Sequence, residues 1–143
     1  MVHHLITRLA ALVIGALLWL GLLVLQVGCS RGSTPKTYPV QGKVVYKGNQ
    51  QPLGQGTVLF ESVSEPKVQA SGELQPDGSF ELASDMGKPG TVPGEHRVMI
   101  QPPFLETGQK PLVHRRFTSY ATSKLRAAVN AGGRNEVTLE VER

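Results

Sequence analysis

Lys67-Val68-Gln69-Ala70-Ser71-Gly72-Glu73-Leu74-Gln75, followed at once by Pro76-Asp77-Gly78, decides the fold. Val68, Ala70, Gly72 and Leu74 alternate with Gln69, Ser71 and Glu73, a two-residue period that lays one set on a core face and the other toward solvent. Pro fixes φ and Gly tolerates positive φ, so Pro76-Asp77-Gly78 reads as a chain reversal, after which Phe80 and Leu82 resume the inward face. The same period extends both ways. Upstream, Val40, Gly42, Val44 and Tyr46 alternate with Gln41, Lys43, Val45 and Lys47. Val58 and Phe60 then alternate with Thr57, Leu59 and Glu61, the two runs forming a hairpin or an open β-corner around the turn-rich residues 47–52. Downstream, His96, Val98 and Ile100 form a strand closed by Pro102-Pro103, since proline donates no ladder hydrogen bond. Leu125, Ala127 and Val129 form another, which runs through Asn130-Ala131-Gly132-Gly133, a reversal of hairpin type, into Val137, Leu139 and Val141. A helix could form over Tyr120 to Val129, but the alternation of Leu125, Ala127 and Val129 favours a strand there, and about seven short strands predict an all-β domain: an about seven-stranded antiparallel β-sandwich of transthyretin-like or immunoglobulin-like kind.

The N-terminus reads differently. Residues 9–25 hold only Leu, Ala, Val, Ile, Trp and Gly, follow Arg8, and end in Leu25-Gln26-Val27-Gly28-Cys29-Ser30. Basic, apolar and small residues in that order make an export signal helix. A small residue before the chain's single Cys resembles a bacterial lipobox, which implies that Cys29 is lipidated and that the leader is cut between Gly28 and Cys29. Lipoboxes usually carry Leu three residues before the Cys, and here Gln26 stands there. Two other fates stay open: an uncut membrane anchor, since the apolar run is at the short edge of the roughly 17–25 residues that span a bilayer, or simple secretion. The domain plan is a signal peptide at 1–28, lipidated Cys and flexible tether at 29–37, and β-sandwich at 38–143.

Composition excludes several classes. Lys and Arg number 15 against 11 Asp and Glu, a net charge of +4. The basic residues are scattered, which with export argues against nucleic acid. One Cys forbids an internal disulfide and a Cys-based metal site. A calcium loop needs several alternating oxygen ligands and Asp77 stands alone, so no metal or other cofactor is expected. His96 lies on an inward register and reads as a core histidine rather than a ligand or base.

Residues 104–120 break the alternation. Long loops are uncommon in small domains and are often functional. Lys110, His114, Arg115 and Arg116 lie within seven positions, with Phe117 and Tyr120 beside them, and these six are the candidate partner-binding residues. Guanidinium groups take carboxylate or phosphate in pairs and rings stack on flat partners. The partner so implied is an acidic envelope protein or polysaccharide. The competing reading is a solvated basic loop.

Tyr38-Pro39-Val40-Gln41-Gly42-Lys43-Val44-Val45-Tyr46-Lys47-Gly48, Pro52-Leu53, Gly56-Thr57-Val58-Leu59-Phe60, Ala70-Ser71-Gly72, Asp77-Gly78-Ser79-Phe80, Pro93-Gly94 and Thr122-Ser123-Lys124-Leu125 occur in that order. This series resembles the small lipoproteins abundant in planctomycete bacteria, which are similar to carboxypeptidase regulatory-like domains with the transthyretin-like (prealbumin) sandwich. The family more often has Gly where Lys124 stands. The resemblance implies export, a lipid anchor and a sandwich, and it transfers no catalytic residue. The expected role is a non-catalytic, lipid-anchored envelope module, structural or interacting, facing the periplasm or exterior. A carbohydrate-binding module is the first alternative. The second is a transthyretin-like hydrolase, for which His96 and His114 are the histidines beyond the leader and no Ser, His and acid trio is marked by spacing.

Overall fold

The computed structural model describes residues 34–64 and 67–143; the expected signal helix, the Gly28–Cys29 cleavage site and most of the tether lie outside them. Pro35–Arg143 forms one compact unit. Its strands are β1 (Val40–Tyr46), β2 (Thr57–Ser62), β3 (Gln69–Glu73), β4 (Ser79–Glu81), β5 (Ala83–Ser84), β6 (Gly94–Gln101), β7 (Leu125–Val129) and β8 (Asn135–Val141). They build two sheets, one ordered β4-β1-β8 and the other β5-β3-β2-β6-β7. The domain is therefore an all-β, two-sheet sandwich. Among the described residues no helix is long and apolar enough to cross a membrane.

The alternating positions face inward as expected. Val44, Val58, Phe60, Val98 and Ile100 are wholly buried, and Val40, Ala70, Leu74, Phe80, Leu82, Leu139 and Val141 complete the layer between the sheets. Phe60 lies at its centre, its ring centroid 6.1 Å from Phe80 and 6.0 Å from His96. Gly42 makes room for Phe80 across the β1–β4 pair, where a Cβ would meet the Phe80 ring at 2.7 Å and the Val137 carbonyl at 2.1 Å. His96 is fully buried. Its Nδ1 donates to the Gly94 carbonyl at 3.0 Å and its Nε2 lies 3.2 Å from the Thr91 hydroxyl, so both nitrogens have partners. Burial holds its pKa below the ordinary value and keeps the ring neutral.

Two expectations are corrected. Among the described residues there are eight strands against the expected seven or so, because residues 79–84 divide at Leu82: β4 pairs with β1 while β5 pairs with β3 in the other sheet. The sandwich is also not wholly antiparallel, because β1 and β8 run parallel over seven paired residues, Val40↔Asn135 to Tyr46↔Val141. The turn after β7 accounts for this. It links the two sheets instead of closing a hairpin and delivers the chain beside the start of β1. Buried Asn135 fixes it there: its side chain accepts from Asn130 N at 2.8 Å and donates to the Asn130 and Pro39 carbonyls, both at 3.3 Å, while its own N–H bonds the Pro39 carbonyl at 3.0 Å. Likewise β1 and β2 belong to different sheets, which makes their connection the open corner.

Candidate functional site

The C-terminal ends of β1, β6 and β8 lie at one end of the sandwich, since Tyr46 pairs with Val141, and Pro102 just past β6 and Arg143 just past β8 line one groove. Pro35-Lys36-Thr37-Tyr38 enters at the opposite end, and seven-residue β1 separates the two by about 20 Å at ~3.3 Å per residue. The irregular segment 102–124 covers the far end, with one short 3-10 turn at Arg115–Thr118.

Core packing and hydrogen bonds to β1, β6 and the end of β8 hold that segment. Val113 and Phe117 are buried in the core, each 3% exposed. The Tyr46 hydroxyl donates to the Leu112 carbonyl at 2.8 Å. His114 N donates to the Glu142 carbonyl at 2.7 Å, and the His114 Nδ1 accepts from Arg116 N at 3.2 Å, capping the turn. The Ser123 hydroxyl donates to the Val98 carbonyl on β6, which ties the end of the segment to the five-stranded sheet.

Between these fixings lies a groove of about 720 Å³. Pro102, Leu105, Pro111, Leu112 and Val113 give it an apolar floor, and Lys110, His114, Arg115 and Arg143 its rim, with Thr118 beside them. No acidic side chain lines it. Lys110 and Arg115 have no acidic partner within ion-pair distance among the described residues. Arg143 stacks on the Tyr46 ring, 4.6 Å from its centroid. A second hollow, lined by Phe104 and Pro103, shares Leu105, Lys110 and Leu112 with the groove, and Phe104 is 100% exposed.

The six residues predicted from sequence therefore separate. Lys110, His114 and Arg115 converge on the groove. Arg116 does not: its guanidinium bonds Glu142 at 2.9 Å and covers the Phe117 ring at 4.6 Å, and Glu142 also draws Lys47 at 3.9 Å. Phe117 belongs to the core and offers a partner nothing. Tyr120 packs with the outward Arg97 on β6, 5.7 Å from its guanidinium, beside the Arg97–Glu61 ion pair. Its hydroxyl is buried without a hydrogen-bond partner among the described residues, and burial raises its pKa. Arg143 and the apolar floor were missed by sequence reading. The loop's apolar residues at 102, 105, 111, 112 and 113 were the available signal.

The arrangement gives shape, apolar surface and positive charge in one place, which is binding chemistry. His96 and His114 are both engaged in holding structure. Among the described residues no group of three His, Cys, Asp or Glu could hold a metal ion.

No protein-family model matches the chain, and no curated protein does. The chain is similar to a solved structure of a DUF3823 family protein from Parabacteroides merdae ATCC 43184, at 20% identity and a TM-score of 0.45, over 76% of this chain. It spans about half, 47%, of that protein's length.

Proposed function

We propose that this protein is an exported, lipid-anchored envelope module that binds rather than catalyses, and that it meets its partner at the groove beneath residues 102–118. The observation that carries the reading is the pairing of an apolar floor with a basic rim that has no acidic lining. Concave, mostly apolar sites with a few converging polar groups are the usual form of binding pockets. The partner is negatively charged and presents apolar surface. Anchoring rests on the leader and on Cys29, and the chain's entry at the end of the sandwich farthest from the groove suits a domain held by its N-terminus.

Two measurements test the halves separately. Mass spectrometry of the membrane-extracted protein should find a chain beginning at a diacylglyceryl Cys29, while Cys29→Ala should accumulate uncut precursor; a wild-type chain still starting at Met1 with a free thiol rejects the anchor. For binding, photo-leucine placed at Leu105 of the full chain in cells should give crosslinked species. These should fade in the Lys110→Ala/Arg115→Ala variant and as salt rises, because exposed charges are screened within about 8–10 Å. Crosslinking indifferent to both changes would remove the basic rim from the interaction.

A further inference from the structure

One flank of the sandwich ends in two open strand edges, β7 in the five-stranded sheet and β8 in the three-stranded sheet. Hydrogen bonds at the two ends of β8 fix which of its groups are used. Asn135 N donates to the Pro39 carbonyl and the Val141 carbonyl accepts from Lys47 N, so residues 135, 137, 139 and 141 serve β1. The N–H and C=O groups of Glu136, Thr138 and Glu140 point the other way, along a strand with no Pro, Gly or Lys to blunt it. His114 N already bonds the next carbonyl on that edge, that of Glu142. In the other sheet Val63 N donates to the Glu95 carbonyl, which turns Glu95, Arg97 and Met99 toward β2 and leaves Gly94, His96 and Val98 to bond Val129, Ala127 and Leu125. Arg126 and Ala128 therefore face the open edge of β7. The side chains that accompany these open groups are exposed, and the two edges are opposite in charge. None of Glu136, Glu140 and Arg126 has an oppositely charged partner within ion-pair distance among the described residues.

We propose that the occupant of these edges is a second copy of this chain, each copy laying its β8 antiparallel against the other's β7. β7 is antiparallel to β6, whose C-terminal end lies with those of β1 and β8, so within one copy β7 and β8 run in opposite directions. A two-fold axis along the strands then pairs both edges at once and closes the assembly. The three-stranded sheet of each copy continues into the five-stranded sheet of the other. With Thr138 opposite Arg126 of the second copy, that guanidinium lies between Glu136 and Glu140 on the neighbouring diagonals, within reach of long side chains. Pairing β8 with β8 would set these carboxylates against each other, which destabilises a sheet. The same axis leaves the Pro35 entries of both copies at one end, so two chains held by their N-termini in one membrane can still meet.

The test co-expresses two differently tagged full-length chains, one carrying Thr138→Cys and the other Arg126→Cys, and oxidises the cells with copper phenanthroline. Opposed Cα atoms in a hydrogen-bonded antiparallel pair are about 5.5 Å apart, within disulfide range. A disulfide-linked dimer of the two tags should form. At least tenfold less should form when either variant is paired with itself, with wild-type chains, which keep Cys29, as the background. In co-purification, copies carrying Glu136→Lys/Glu140→Lys should capture each other several-fold less than wild-type copies do, and adding Arg126→Glu to them should restore capture. These side chains are exposed, so the fold survives the changes. Loss that Arg126→Glu does not reverse overturns the pairing of the two edges. Thr138→Cys crosslinking to itself would mean β8 against β8. That result, chains that stay monomeric, or Thr138→Cys captured by a different protein would each overturn the second copy's β7 as the occupant.

Discussion

Lys124 sits at φ +54°, in the left-handed region that costs a residue with a Cβ roughly 1–2 kcal/mol. The strain is local and follows from the fixing beside it: Ser123 is pinned to the Val98 carbonyl, and the chain must turn sharply to enter β7 at Leu125. Glycine relaxes that backbone but loses about 0.5–1 kcal/mol through the freedom of the unfolded chain. Lys124→Gly should therefore stabilise the domain by about 0.5 kcal/mol in urea unfolding; a less stable variant would mean that the lysine side chain contributes contacts of its own. Gly42 is the opposite case. Gly42→Ala drives a Cβ into a backbone carbonyl, which cannot swing aside, and should destabilise by about 2–3 kcal/mol or more. His96 gives a pH effect with a definite sign. Its folded pKa lies below the ordinary 6.5, so the unfolded chain takes the proton first and stability falls as pH drops below about 6.5. The Glu61 carboxyl, held low chiefly by its bond to Arg97, adds a second loss that begins only below its ordinary 4.5. Stability curves between pH 7 and 5 should slope for wild type and flatten for His96→Gln, whatever that variant's absolute stability.

At the scale of elements, the 102–124 segment is a folded lid whose underside is core and whose outer surface is free. Phe117→Ala should cost about 3 kcal/mol or more, as large core truncations do, whereas Lys110→Ala and Arg115→Ala should change stability by less than about 0.5 kcal/mol. Thermal melts of the three variants check the division; a Phe117→Ala protein as stable as wild type would detach the segment from the core. The inward strand faces were legible because a two-residue period is a local signal that any half-buried strand must carry. Leu82 could not reveal that it ends one strand and begins another in a different sheet, because both halves keep the same inward register. In the segment itself the charges at Lys110, His114 and Arg115 were legible as a cluster. The orientation of Phe117 and Tyr120 was not, because an aperiodic stretch carries no information about which side chain turns inward. Arg143 lies 28 positions from Arg115 in sequence and reaches the groove only because β8 runs beside β1.

For the whole molecule, the parallel pairing of β1 with β8 has a consequence in time. Gln41 and Glu136 are neighbours bridged by a 3.1 Å hydrogen bond, yet 95 positions separate them. At about 5–20 residues per second, β8 leaves the ribosome roughly 5–20 s after β1. Through that interval β1 has only the three-residue β4 to pair with, so one sheet of the sandwich cannot close. Contacts this distant in sequence also slow folding once the chain is whole, because the ends must meet before anything rewards them. A nascent chain stalled before Asn135 should accordingly be cut by protease in β1 while the completed chain resists, and protection of β1 in the stalled chain would refute the order. Strand β8 therefore acts as a timer: the three-stranded sheet, and the core layer it covers, waits for Asn135–Val141 to be made.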